Sequence, residues 1–130
     1  DLHYGVASNR RSVYVPWFRN SMRPIFEVLD APNPNLVVGR RSATNLPTQA
    51  LFLMNSPFIR EQSKLTAKRL LAEAGTIEDT DLLILARPPS ESEILSTQTF
   101  LDSFSSDQRT EAWTQLTQAL FSTVDFRFID

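Results

Sequence analysis

The residues able to do chemistry in this chain are few and scattered. His3 is the single histidine, so a multi-histidine metal site cannot be assembled, and any Ser-His-Asp triad has to be built on that one residue. Its place near the chain start fits a solvent-exposed or structural role better. Cysteine is absent, which removes disulfides, thiolate metal centres, a cysteine nucleophile and covalent c-type haem attachment within the chain. Met54 and His3 are the side chains that could offer an axial ligand to a partner's haem. Met54, however, closes the apolar run Ala50-Leu51-Phe52-Leu53 and reads first as core filler.

Positive charge gathers at the start of the chain. Arg10, Arg11, Arg19, Arg23, Arg40 and Arg41 give residues 1–47 six basic groups against three acidic ones, whereas residues 48–130 hold seven against twelve. Two arginine pairs on irregular backbone could clamp a carboxylate, sulfate or phosphate through bidentate bonds. Pairing with Asp30, Glu27 or turn carbonyls is the ordinary alternative. Thr44, Asn45, Thr48, Gln49 and Asn55 surround a helix start, where free amides favour an anion, although caps and turns use these same residue types. Together, Arg40, Arg41, Thr44, Asn45 and Gln49 form the candidate anion-binding site.

Carboxylates do not form a catalytic pair on sequence grounds. Glu78, Asp79 and Asp81 cluster near one helix start and Glu91 with Glu93 begins another, positions where acids complement the helix dipole. General acid/base work needs two carboxylates held across a cleft. Tyr14, Trp17 and Phe18 could stack on a sugar or base, but a segment poor in regular structure also needs large apolar anchors.

The elements that must position these residues follow from punctuation and periodicity. With 130 residues and 42% hydrophobic content, the chain supports one core, so a single domain over 1–130 is expected. Net charge is −2 with charges interspersed, which indicates neither a nucleic-acid surface nor a disordered acidic tail. The longest apolar runs are about five residues, far below the roughly 20 of a membrane span. Five of the eight prolines fall in residues 1–47, predicting an irregular Pro-rich arm over 1–46 with a short strand at Ser12-Val13-Tyr14-Val15, a short helix opened by Pro24 and a turn from Asp30 to Asn35. Beyond it a small helical bundle over 47–130 is expected, of about five helical segments. The first runs from Pro47 to Met54. Ser56 and Pro57 open the second, which reaches Gly75. The third spans Glu78 to Ala86 and is stopped by Arg87-Pro88-Pro89. A capping box, Ser90 with Glu93, opens the fourth, which carries Ile94, Leu101 and Phe104. Asp107 caps the fifth, with Ala112, Leu116, Ala119 and Leu120 on one face and Trp113 alongside. The first residues, Asp1-Leu2-His3-Tyr4-Gly5, include no initiator Met, basic region or apolar region, so the chain is expected to be a fragment of a larger one.

Three stretches carry a resemblance. They are Arg10-Arg11-Ser12-Val13-Tyr14, then Asp30-Ala31-Pro32-Asn33-Pro34 leading through Arg40-Arg41 to Thr44-Asn45-Leu46-Pro47-Thr48-Gln49-Ala50-Leu51-Phe52-Leu53-Met54-Asn55-Ser56-Pro57-Phe58, then Leu85-Ala86-Arg87-Pro88-Pro89-Ser90-Glu91-Ser92-Glu93. Together they resemble domain of unknown function 1553, the C-terminal domain of planctomycete proteins that often carry a cytochrome c domain. Ala119-Leu120-Phe121 with Asp125-Phe126 is similar to the family's terminal helix and aromatic tail. The sequence departs from the family's pattern at Asn33, where Asp is common, and at Leu29, where Phe is common.

This resemblance implies an exported parent, hence a periplasmic or extracytoplasmic location, with haem in an upstream domain and no cofactor in this chain. It implies no established activity. The expectation is therefore a non-catalytic structural or interaction domain that packs through its arm against the preceding domain of the same parent. The alternative is an accessory part of a polysaccharide-acting enzyme that holds an anionic, sulfated sugar on Arg40, Arg41 and Gln49. No nucleic acid and no membrane span are expected.

Overall fold

Pro24 and Pro47 each stand at the first position of a helix, where a missing amide hydrogen costs nothing and the fixed φ already suits the helix. The computed structural model describes residues 14, 22–33, 35–37, 39, 46–73 and 75–127, which hold seven α-helices and no strand. These are α1 (Pro24–Val28), α2 (Pro47–Asn55), α3 (Pro57–Ala72), α4 (Ile77–Leu85), α5 (Glu91–Asp102), α6 (Arg109–Phe121) and α7 (Val124–Arg127), with a 3₁₀ turn at Ser106–Gln108. The chain is mainly α. It separates into two compact units, residues 1–49 and 50–130.

In the first unit α1 is a single turn and a half. Asp30 follows it in the left-handed region at φ 51°, a conformation that Asp tolerates better than most residues. The Asn33 side chain then accepts from the Asn35 amide at 2.9 Å, an Asx turn that reverses the chain. The strand expected over residues 12–15 lies outside the described residues except for Tyr14, which is exposed and so does not act as an apolar anchor.

The second unit is organised on the pairing of α3 with α6. Its core is Ala67, Leu70, Trp113 and Leu116, with Leu71, Phe100, Leu101 and Leu120 packed around it. Small residues set the approach of the two helices, because Ser63, Ala67 and Thr117 are all fully buried. Their hydroxyls remain satisfied by backbone. Ser63 donates to the Ile59 carbonyl at 2.8 Å, and the Thr117 hydroxyl faces the carbonyls of Ser63, Trp113 and Thr114 at 3.1, 2.9 and 3.0 Å. Polar groups so bonded can be buried at little cost.

Several expected details change. Ala119 is exposed, because at about 100° per residue the buried sector of α6 is centred on Trp113, running from Ala112 to Thr114 and leaving Ala119 just outside. Asp107 does not cap α6. It sits inside the 3₁₀ turn, and Gln108 precedes the helix without a side-chain cap. The helix α3 stops at Ala72 rather than Gly75, and the Gly75 amide closes back onto the Leu70 carbonyl at 2.8 Å. Ser56 precedes α3 as expected, yet its side chain makes no cap bond.

Candidate functional site

Arg87 is the most heavily bonded charge among the described residues, and its position is fixed by how α4 ends. Ala86 adopts the left-handed conformation at φ 57°, and Pro88 and Pro89 prevent helix from resuming. The guanidinium is thereby held beside the start of α5. It donates to Glu93 through Nη2 to Oε1 at 2.7 Å and Nη1 to Oε2 at 3.1 Å. From Nε and Nη2 it donates to Asp125 Oδ2 at 2.9 and 2.7 Å, and from Nη1 to the Pro88 carbonyl at 3.2 Å. Those bonds use all five N–H groups that an arginine possesses. This guanidinium has no donor left for a ligand.

Glu93 serves two structures at once. Its Oε2 accepts from the Ser90 amide at 2.7 Å and the Ser90 hydroxyl at 2.8 Å, while its own amide donates to Ser90 Oγ at 3.3 Å. The capping box expected at Ser90 is therefore present. Bonds from Arg87 first, then from the Ser90 backbone and side chain, hold the Glu93 carboxyl down to about 2, because each favours the charged form. Bonds to Glu93 first and then to Asp125 raise the Arg87 guanidinium further above its usual range.

A second capping box stands at α4, where Thr76 and Asp79 satisfy one another's amides at 2.9 and 3.1 Å. Bonds from the Thr76 backbone and then its side chain lower the Asp79 carboxyl. Asp81 differs from its neighbours. It is 6% exposed, and burial, aided by the negative charge of Glu93 and opposed by Arg87, pushes its carboxyl up. The three acids that the sequence places together thus play three roles: Asp79 caps, Glu78 is exposed to solvent and Asp81 is buried.

An open cleft of ≈ 570 Å³ lies at one end of this unit, with Ile94, Leu101, Phe104 and Trp113 among its apolar walls and Glu78 and Arg109 among its charged ones. Its size falls within the range of small-molecule sites. No nucleophile and base are paired there, and among the described residues no group of three or more His, Asp or Glu side chains is placed to hold a metal ion.

Of the anion-binding candidates, Arg40, Arg41, Thr44 and Asn45 lie outside the described residues, as do His3, Arg10, Arg11, Arg19, Trp17 and Phe18. Gln49 is described: it is buried, and its Nε2 donates to Asp30 Oδ2 at 3.1 Å. Asn55 donates to the Leu51 carbonyl at 2.9 Å. Arg23 precedes α1. Met54 is not core filler. The residue is 54% exposed, while Leu53 beside it is buried and Gln118 Nε2 donates to the Met54 carbonyl at 2.6 Å.

Sequence reasoning missed the joining of Arg87 to Asp125 and the box at Thr76. The latter had a local signal, Thr76-Ile77-Glu78-Asp79, with a hydroxyl and a carboxylate at capping-box spacing. A family model described as Protein of unknown function (DUF1553) matches residues 3–101. No curated protein matches the chain, and no solved structure does.

Proposed function

From the premise that this chain belongs to the family described as a protein of unknown function, DUF1553, we propose that it works as a non-catalytic interaction domain, docking through residues 1–46 onto the preceding domain of the same parent protein. The observation that carries this reading is the exposure of apolar side chains among the described residues of this segment. Leu36 and Leu46 are exposed, Val37 fully so, and Tyr14 stands open as well. Large apolar groups left exposed gain by being covered. The saturated guanidinium of Arg87 supports the same reading, since the strongest charge cluster in the bundle is used up in holding helices together.

On this reading the parent is an extracytoplasmic protein of the planctomycete type. Any haem belongs to a cytochrome c domain upstream, and this chain holds no cofactor of its own. Among the described residues no helix is long and apolar enough to cross a membrane.

Limited proteolysis tests the docking. Cleavage within residues 1–46 is expected to be fast in the isolated chain and slow when the preceding domain is present. Equal protection in the isolated, monomeric chain would show that the arm needs no neighbour.

A further inference from the structure

We infer that this domain seats a second copy of itself, the basic flank of α3 in one molecule lying against the acidic, leucine-bearing face of α4 in the next. The helix α3 buries Ile59, Ser63, Ala67 and Leu70 and leaves its opposite side uncovered. Arg60, Lys64 and Lys68 follow one another along that uncovered helix at intervals of four residues, about 6 Å of rise each. All three are exposed, and none of their side chains has an ion-pair or hydrogen-bond partner among the described residues. Leu65, 48% exposed, lies next to Lys68 around the helix, and Phe58, also exposed, lies further round.

The complementary surface is on the same molecule. The helix α3 contains four basic residues and one acidic, whereas α4 and α5, which pack on each other, contain six acidic and none basic. On α4, Glu78 and Asp79 flank Leu82 and Leu83, which are 50% and 46% exposed. A face on which basic residues outnumber the single acid Glu61 therefore has an acidic, leucine-bearing counterpart. Such complementarity selects partners and fixes their register.

Charge also decides the symmetry. A two-fold dimer through α3 alone would set lysines against lysines, which is unfavourable, so the contact joins two different faces. Made reciprocally it closes a two-fold dimer, and made once per molecule it repeats into a ring or filament. A hydrated polyanion would satisfy the cations but gain nothing from Phe58 and Leu65, and Glu61 lies along the same helix face to oppose it. The α4 surface answers both features.

The test is sedimentation velocity of the full chain from micromolar to millimolar concentration, in salt from about 0.02 M to about 0.5 M, where screening becomes severe. Association is expected to rise with concentration and to weaken at least ~10-fold across that salt range. Lys64→Glu with Lys68→Glu, and separately Glu78→Lys with Leu82→Ser, are expected to sediment as monomers, their folding checked by circular dichroism. All four positions are exposed. Mixing the two variants is decisive, because the first keeps an intact α4 face and the second an intact α3 face, so a complex that stops at 1:1 is expected. A monomer under every condition, or association that both variants leave unchanged, would overturn the proposal.

Discussion

Arg87 and Glu93 are joined by two hydrogen bonds of 2.7 and 3.1 Å, and the same guanidinium reaches Asp125, 38 positions further along the chain. This one side chain ties the end of α4, the start of α5 and the four-residue α7 together. A helix as short as α7 cannot persist on its own propensity. Its place therefore depends on tertiary ties, of which Arg87 to Asp125 is one and the Phe121–Phe126 ring contact at 4.9 Å is another.

Arg87→Ala is accordingly expected to lower the melting temperature and to expose residues 122–127 to proteolysis. Arg87→Lys keeps the charge but loses the planar fork that meets two carboxylates at once, so it should restore less than half of the loss. Melting curves and mass spectrometry of the proteolytic fragments check both points. Full rescue by Lys would mean that charge alone, without the fork, holds α7.

Acid should act on two carboxyls in opposite senses. The folded state holds Glu93 at about 2, below its usual value of 4.5, so its contribution is complete above about 4.5 and is lost as pH falls towards 2. Asp81 is raised above its usual 3.8, so its charged form penalises the fold at neutral pH and that penalty is relieved as pH falls through its raised value. Thermal melts from pH 7 to pH 2 separate the two. Glu93→Gln should flatten the loss of stability below pH 4.5. Asp81→Asn should leave neutral-pH stability unchanged or higher and flatten the limb above pH 3.8, and strong destabilisation at pH 7 would mean that the Asp81 charge has a structural use.

The α3–α6 interface should be intolerant of both deletion and addition. Leu70 and Ala67 are buried against Trp113 and Leu116. Leu70→Ala is expected to cost about 2–5 kcal/mol through lost burial and the cavity left behind. Ala67→Leu forces methyl groups into a fully buried position and should cost about 1–3 kcal/mol. Urea unfolding measures both, and a neutral Ala67→Leu would show that the helices can separate to admit the larger side chain.

What the sequence disclosed was mostly what is local. Pro24, Pro47 and Pro57 place three helix starts, and the Ser90–Glu93 box lies within four residues, so each can be read from spacing alone. The side of α2 that faces inward is different. Leu53 is buried while Met54 and Leu51 are exposed, a choice invisible in the run Ala-Leu-Phe-Leu-Met. The bond from Arg87 to Asp125 spans too much chain to leave a pattern, and in the sequence Arg87 reads only as part of a helix stop. Of the proposed anion site, Gln49 alone is described, and its pairing with Asp30 across 19 positions is again a long-range fact.

The two capping boxes offer a graded test against a cap that is not formed. At Thr76 and Ser90 the side-chain oxygen accepts from the amide three residues on, at 3.1 and 3.3 Å, and the carboxylate of Asp79 or Glu93 returns a bond to the cap's own amide. Replacing either cap by Ala leaves a helix amide without its partner and should cost about 0.5–2 kcal/mol. Ser56 makes no such bond, so Ser56→Ala removes only a buried hydroxyl and should cost less than either. Chemical denaturation of the three single variants orders them. A Ser56→Ala variant as damaging as Thr76→Ala would mean that the Ser56 hydroxyl caps α3 in solution, bringing that helix start back to what its Ser-Pro sequence implies.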